Sequence, residues 1–238
     1  HSMEKKYILL TGATGGIGSA IAKLLMFLGY TIYAPVRDMD RAKGIYGDDE
    51  RIICTLVSIE NAKDTHNYIF GLHKQGIVFD FVILAAGKFI WDDKFEGNTP
   101  EEKQKNAIEK MMVINYVTSE TVINALLSVY HDKSGITLAK TTLVIISSQA
   151  ARFEVGHPFR VNEEGYVVSK TKLSAFGRDV AALEKFFSVV IQEPGRVGTE
   201  SAKESFNAKT IGADLDWEKD EKKPEEYADE LVHGVLNL

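Results

Sequence analysis

A single cysteine, Cys54, is present in 238 residues. One thiol cannot close an internal disulfide, and alone it cannot build a zinc or iron–sulfur centre. Proline is scarce as well, at 5 against 19 glycines, which excludes collagen-like and proline-rich low-complexity chains. Positive charge is in deficit: 28 Lys and Arg face 34 Asp and Glu, the net charge is −6, and no basic block runs beyond two residues. Such a surface repels a nucleic-acid duplex or an anionic membrane on average, so neither is expected as a partner. The longest strictly apolar stretch, Phe81–Ala86, is far short of the roughly 20 residues a membrane-spanning helix needs. Ala20–Leu28 is broken by Lys23 and follows a glycine-rich turn, not a basic leader. A cytoplasmic location is therefore expected. His1-Ser2 is set aside as an added remnant, and one domain is expected from Met3 to Leu238.

What is present is the composition of a globular protein: 45% hydrophobic, 26% charged and 10% aromatic. Short β-rich runs alternate with longer helical patterns. Strands are expected at Tyr7–Thr11, Thr31–Pro35, Arg51–Val57, Phe81–Ala86, Thr142–Ser147 and Ser188–Gln192. Helices are expected at Ile17–Leu28, Glu60–Lys74, Pro100–Tyr130, Gly165–Phe187 and Glu225–Leu238, with Thr99 capping the third and Pro100 at its first position. Apolar strands with little alternation are those of a buried parallel sheet. Their strict alternation with helices predicts right-handed crossovers and a doubly wound α/β fold of Rossmann type. A six-stranded parallel sheet flanked by helices is expected, in the 3-2-1-4-5-6 order usual for such a fold.

The first strand runs into Thr11-Gly12-Ala13-Thr14-Gly15-Gly16-Ile17-Gly18, which opens a helix. Glycines there let the backbone turn and approach a pyrophosphate at the helix N-terminus, although a tight turn alone would also use them. About 20 residues on, the second strand ends in Arg37-Asp38, where a dinucleotide's adenosine ribose is expected. A guanidinium would pair with a 2′-phosphate and a carboxylate with a 2′-hydroxyl; an exposed, solvated pair is the plain alternative. Tyr166 and Lys170 lie four apart on one helix face, so an ammonium can favour the phenolate and let the phenol exchange a proton near neutral pH.

The glycine run, Asn115, Ser147-Ser148, Tyr166 with Lys170, and Pro194-Gly195-Arg196-Val197-Gly198-Thr199 occur in that order. Together they resemble the short-chain dehydrogenase/reductase family over nearly the whole chain, from about Tyr7 to Leu238. The resemblance implies Tyr166 as general acid/base and Lys170 as the cation that holds the nicotinamide ribose and lowers the Tyr166 pKa. Ser148 would orient the substrate carbonyl, with Ser147 as runner-up, and Asn115 would support a water leading to Lys170. Cofactor contacts are implied for Gly12, Thr14, Gly16, Ile17, Gly18, Arg37, Ala86, Gly87, Tyr166, Lys170, Pro194, Gly195, Val197 and Thr199. Arg37 favours NADP(H), with NAD(H) left open through Asp38. The implied reaction moves hydride between nicotinamide and a carbonyl or secondary alcohol of a small, partly apolar molecule. A homodimer through Pro100–Tyr130 and Gly165–Phe187 is implied as well.

Several positions depart from the family pattern. Val57 stands where an adenine-contacting Asp is usual, and Leu84-Ala85-Ala86-Gly87 replaces Asn-Asn-Ala-Gly. Tyr166 lies 18 residues after Ser148, so the loop between them is longer than usual. A seventh strand is not expected after Glu225–Leu238. The eroded positions at Val57 and Leu84-Ala85 keep a non-catalytic NADP-binding sensor or scaffold as an alternative. The spacing Gly12, Gly15, Gly18 also admits an epimerase or dehydratase, although fewer than 50 residues follow Pro194. Phe89, Trp91, Phe153 and Phe159 fall in loops at the carboxyl ends of the strands and are expected to line a substrate pocket, packing beneath long loops being the alternative. No His/Asp/Glu cluster has ligand spacing, so no metal is expected. Asp92-Asp93 and Asp48-Asp49-Glu50 read as solvated acids, His66 and His157 as lone surface or loop histidines, and Cys54 as a small core residue.

Overall fold

A computed structural model describes residues 6–131, 141–183, 185, 187–195, 197–199 and 221–238. Six strands form one sheet: β1 (Tyr7–Thr11), β2 (Thr31–Val36), β3 (Ile52–Leu56), β4 (Phe81–Leu84), β5 (Thr141–Ile146) and β6 (Phe187–Gln192). Their order is β3-β2-β1-β4-β5-β6 and every pairing is parallel. Successive side chains point to opposite faces. Ile8 and Leu10 therefore join Ile32, Ala34 and Ile83 in one core, while Leu9 joins Val82, Leu84 and Leu143 in the other.

The first core is closed by α1 (Gly16–Phe27), α2 (Met39–Tyr46) and α7 (Pro224–Asp229), through residues such as Ile21, Leu25, Tyr46, Tyr227 and Ala228. The second is closed by α3 (Ala62–Lys74), α5 (Thr118–His131) and α6 (Glu164–Leu183), with Ile69, Ile123, Leu126 and Leu173 inward. The reversal of strand order falls between β1 and β4, so the chain opens a crevice at their carboxyl ends.

Four differences from the sequence expectations have local causes. Helix α2 was not expected, because only Ala42 and Tyr46 of its residues are buried; it forms because the Asp38 carboxylate accepts from the Arg41 N–H. The expected helix Pro100–Tyr130 is α4 (Pro100–Met112), a π-helical turn at Val113–Val117, and then α5. That turn buries Asn115, a polar side chain with a partner to reach. The expected Gly165–Phe187 helix stops at Leu183, and Phe187 opens β6. Residues Glu225–Leu238 divide between α7 and a π-helical turn, Glu230–Val235. Pro100–Tyr130 as a whole is long and apolar enough to span a bilayer, but over half of its most apolar window is buried inside the protein.

Candidate active site

The glycine loop is held from three sides. Gly12 has φ 72°, and a Cβ on it would lie 2.5 Å from the Ala85 carbonyl. A Cβ on Gly18 would fall 1.9 Å from the Gly12 oxygen, so the loop folds tightly over the start of α1. Gly15 occupies the N-cap with no side-chain cap. The first N–H groups of α1 have no intrahelical partner and suit an anion. The Tyr46 hydroxyl donates to the Ala13 carbonyl and the Arg41 Nε to the Thr14 carbonyl at 3.1 Å. On the far side the Thr199 side chain rests where a Gly16 side chain would be, 2.6 Å from that Cβ position. Its segment is anchored by the Pro194 carbonyl, which accepts from Gln149 N–H at 2.9 Å, and by a bridge from the buried Val197 to Lys222. Arg196 lies outside the described residues. A cradle that admits no Cβ at Gly12, Gly16 or Gly18, facing helix N–H groups without an intrahelical partner, fits a dinucleotide pyrophosphate.

At the adenosine end, Asp38 is engaged in capping α2, whereas Arg37 is exposed and makes no hydrogen bond among the described residues. The Glu60 carboxyl sits below its ordinary range, held mainly by a backbone N–H, then by Ser58 and the Arg37 charge. Val57 is buried and offers no polar atom to a base. Half-buried Ile17 packs against the core beneath α1, and the Ala86 N–H donates to Thr11 Oγ1 at 3.2 Å.

The polar residues of β4, β5, α4–α5 and α6 meet beside this cradle. Asn115 accepts from Lys88 N–H (2.8 Å) and donates to the Lys88 carbonyl (3.1 Å) and to Ser169 Oγ (3.0 Å). Lys170 Nζ donates to the Ile146 carbonyl at 3.4 Å and lies 5.8 Å from the centre of the Tyr166 ring. Gly87 makes room for both: a Cβ there would stand 2.8 Å from Asn115 Oδ1 and 3.2 Å from Lys170 Nζ. The two serines separate by face. Ser147 Oγ donates to the Lys170 carbonyl (3.1 Å) and accepts from Ser174 Oγ (2.7 Å), bracing α6. Ser148 Oγ accepts from Ala150 N–H at 3.1 Å, and its side chain lies near enough to the Tyr166 phenol to favour the phenolate.

Burial raises the Tyr166 pKa; the Ser148 hydroxyl pulls it back, and the nearby Glu163 carboxylate raises it further. Burial brings the Lys170 ammonium down to about 8. The resemblance implies that Lys170 lowers the phenol; the structure places its ammonium 5.8 Å from the Tyr166 ring centre, with the Ser148 hydroxyl opposing burial beside it.

The four loop aromatics divide. The Phe89 ring meets both Trp91 and Tyr166 edge-on at 4.9 Å, and Trp91 is buried. Phe153 instead stacks on His157 at 4.4 Å and tilts against Phe159 at 6.0 Å, and none of these three rings contacts Tyr166. The Phe153 ring borders a cleft with Val168, Thr171 and Ala175, which share a face of α6 turned away from Tyr166. Of the four aromatics expected to line a pocket, the structure brings Phe89 and Trp91 together beside Tyr166, with Phe153 and Phe159 in a separate cluster. The loop that carries this cluster is tied down by Arg160, which donates to the Phe153 carbonyl and pairs with Glu164 at 2.7 Å, and Phe159 stays exposed.

Asp92 is a correction. It is 4% exposed, not solvated, and its carboxylate accepts from the N–H groups of Glu164 (2.8 Å) and Gly165 (2.9 Å). Sequence reasoning also missed Arg41, Tyr46, Glu163 and Ser174. Of these, Arg41 carried a signal, since it follows Asp38 by the three positions of an N-cap pair.

A family model described as short chain dehydrogenase matches residues 6–210. The chain is 24% identical to rat (Rattus norvegicus) estradiol 17-beta-dehydrogenase 2 over 253 aligned residues, covering 97% of this chain and 58% of that protein. It spans under two thirds of the length of the curated relatives it matches. Among solved structures, an alcohol dehydrogenase from the archaeon Thermococcus sibiricus, complexed with 5-hydroxy-NADP, is similar at TM-score 0.71 and 21% identity, over 99% of this chain and 92% of that one. ElxO with NADP bound is similar at TM-score 0.77 and 16% identity, over 97% and 91%. At these identities the structures speak for the fold.

Proposed function

The chain belongs to the short-chain dehydrogenase family, and from that membership we propose that it is an NADP(H)-dependent oxidoreductase of a small, partly apolar carbonyl compound and its secondary alcohol. The observation that carries this reading is the meeting of Asn115, Ser148, Tyr166 and Lys170 beside a glycine cradle, with Gly87 as the gap between them. A bound nicotinamide supplies hydride to carbon, or accepts it. The residues here handle the oxygen. Ser148 and Tyr166 donate hydrogen bonds to a carbonyl oxygen, and in reduction Tyr166 gives up its proton as charge develops there. Lys170, with its ammonium brought down to about 8 by burial, stands over the ring and supports the phenolate left behind. Asn115 fixes the strand-end backbone beside Lys170 and supports a proton path from solvent. Phe89 and Trp91 give the substrate an apolar wall and keep water from the phenol.

The cofactor preference rests on the contrast between two neighbours: Asp38 is engaged in capping, and Arg37 is available for a 2′-phosphate. A cytoplasmic location, and a homodimer across the outer faces of the α4–α5 pair and α6, belong to the same proposal. Fluorescence titration with NADPH and with NADH tests it. NADPH is expected to bind tighter, and Arg37→Ala to weaken NADPH by about tenfold while sparing NADH, the effect of one charge-assisted pair. Tighter NADH binding would hand the ribose to Asp38. Binding of neither would remove the enzyme reading.

A further inference from the structure

Between β4 and α4 the chain crosses the site as a strap, Lys88–Asp93, pinned at both ends. At the first pin Asn115 holds both the N–H and the carbonyl of Lys88, at 2.8 and 3.1 Å. At the second, Asp92 N–H donates to the Asn162 carbonyl and Asp93 N–H to Asn162 Oδ1, each at 2.9 Å. Asn162 turns back through φ 62° to make both contacts. The Asp92 carboxylate then accepts from Glu164 and Gly165, the first two residues of α6.

A helix N-terminus is ordinarily capped by the residue just before it. Here the capping side chain comes from 72 positions upstream and is buried, so the same carboxylate ties two separate parts of the chain together. Tyr166 follows Gly165 directly, and Gly165 itself has no slack: a Cβ would lie 2.7 Å from the Ala107 carbonyl of α4. Between the two pins the strap carries Phe89, whose ring meets Tyr166 edge-on.

We propose that Asp92 is a positioning residue for the reaction: its carboxylate locks the first turn of α6 to the Lys88–Asp93 strap and thereby sets the Tyr166 phenol against the Phe89 ring. The inference rests on the assignment of Tyr166 as acid/base. Turnover is sensitive to such placement because a displacement of about 1 Å at a reacting group costs on the order of a hundredfold in rate.

The test uses the full chain with 13C-labelled tyrosine, the Tyr166 ring signal being assigned by its loss in Tyr166→Phe. Asp92→Ala is expected to move that signal, as the Phe89 ring current changes, and to lower kcat by about tenfold or more at unchanged NADPH affinity. Asp92→Asn, which keeps one acceptor, recovers part of both. Asn61→Ala removes the cap of α3, where Asn61 accepts from Asp64 N–H at 3.0 Å; it costs thermal stability but leaves the Tyr166 signal and kcat in place. A Tyr166 signal unmoved by Asp92→Ala, or moved equally by Asn61→Ala, overturns the proposal. Should Asp92→Ala fail to fold, Asp92→Glu keeps the charge and shifts the anchor by one methylene; a displaced signal supports the role and a wild-type signal overturns it. If the wild-type protein reduces no carbonyl, the acid/base assignment falls, and the ring signal still decides whether Asp92 sets the place of Tyr166.

Discussion

The two halves of the crevice are built by different means. On the β4–β6 side the polar side chains brace one another: Asn115 with Lys88 and Ser169, Ser174 with Ser147, Asp92 with the start of α6. On the β1–β3 side the site is mainly backbone, shaped by Gly12 and Gly18, and its outer end is exposed. Val57 is buried there, where the family resemblance implies a carboxylate. The glycine loop itself is held by Tyr46 and Arg41, which donate to the carbonyls of Ala13 and Thr14. Chemistry demands side chains fixed to a fraction of an ångström, whereas an anion needs only N–H groups and room. The first half should therefore fail in rate, and the second in affinity.

The largest effect expected on this contrast is that of Tyr166→Phe. It removes the hydroxyl proposed to carry the proton and should lower kcat by about 10²–10⁴-fold, the usual worth of a general acid. NADPH affinity should stay within about twofold of wild type, because the glycine cradle is untouched. Stopped-flow turnover beside a fluorescence titration separates the two quantities. Loss of both together would erase the division between the halves.

Stability offers a second way to break the comparison. The Lys170 ammonium drops from its ordinary 10.5 to about 8 because burial disfavours the charged form. Between those values the unfolded chain holds the proton and the folded one has lost it, so stability rises with pH across that window. Below pH 8 both forms are protonated and the full cost of burying the charge is present. Lys170→Met should therefore stabilise the protein at pH 7 by roughly 3 kcal/mol at most, at about 1.4 per pKa unit. The gain should vanish above pH 10.5, and it comes with lost turnover, as a functional group held against stability requires. Thermal unfolding of both proteins from pH 7 to 11 checks the window. A gain that does not change with pH would assign the effect to packing.

The sheet and its order were legible because buried parallel strands announce themselves as short apolar runs and every such run became a strand. The position of Asn115, Ser148, Tyr166 and Lys170 on adjoining strand ends and helices followed from the same pattern. What escaped was whatever depends on distant partners. Asp92 reads as one of two solvated acids until the N-terminus of α6 is seen to meet it. Phe153 and Phe159 read as pocket residues because they follow β5, and nothing in the sequence signals that His157 gathers both rings into a cluster of their own. Helix α2 escaped for another reason: a helix with two buried residues has almost no apolar period to detect.

The smallest effect sought is the most discriminating for the β1–β3 side. Arg41 spends its Nε on the Thr14 carbonyl, at 3.1 Å, and its terminal nitrogens make no other bond among the described residues. It can therefore act in two ways: as a brace of the glycine loop, felt equally by NADPH and NADH, or as a second cation at the 2′-phosphate, felt by NADPH alone. An exposed charge pair of this kind is worth up to about 1 kcal/mol, a factor of about five in affinity. Because Tyr46 and the tight Gly12–Gly18 packing already hold the loop, the bracing share should be the lesser one. Arg41→Met should thus weaken NADPH several-fold and NADH by less than twofold, with the difference disappearing at high salt, where exposed charges are screened. Equal weakening of both cofactors would make Arg41 part of the scaffold and leave Arg37 to read the phosphate alone. The cofactor side would then owe its specificity to a single exposed side chain, in sharper contrast to the interlocked side chains around Tyr166.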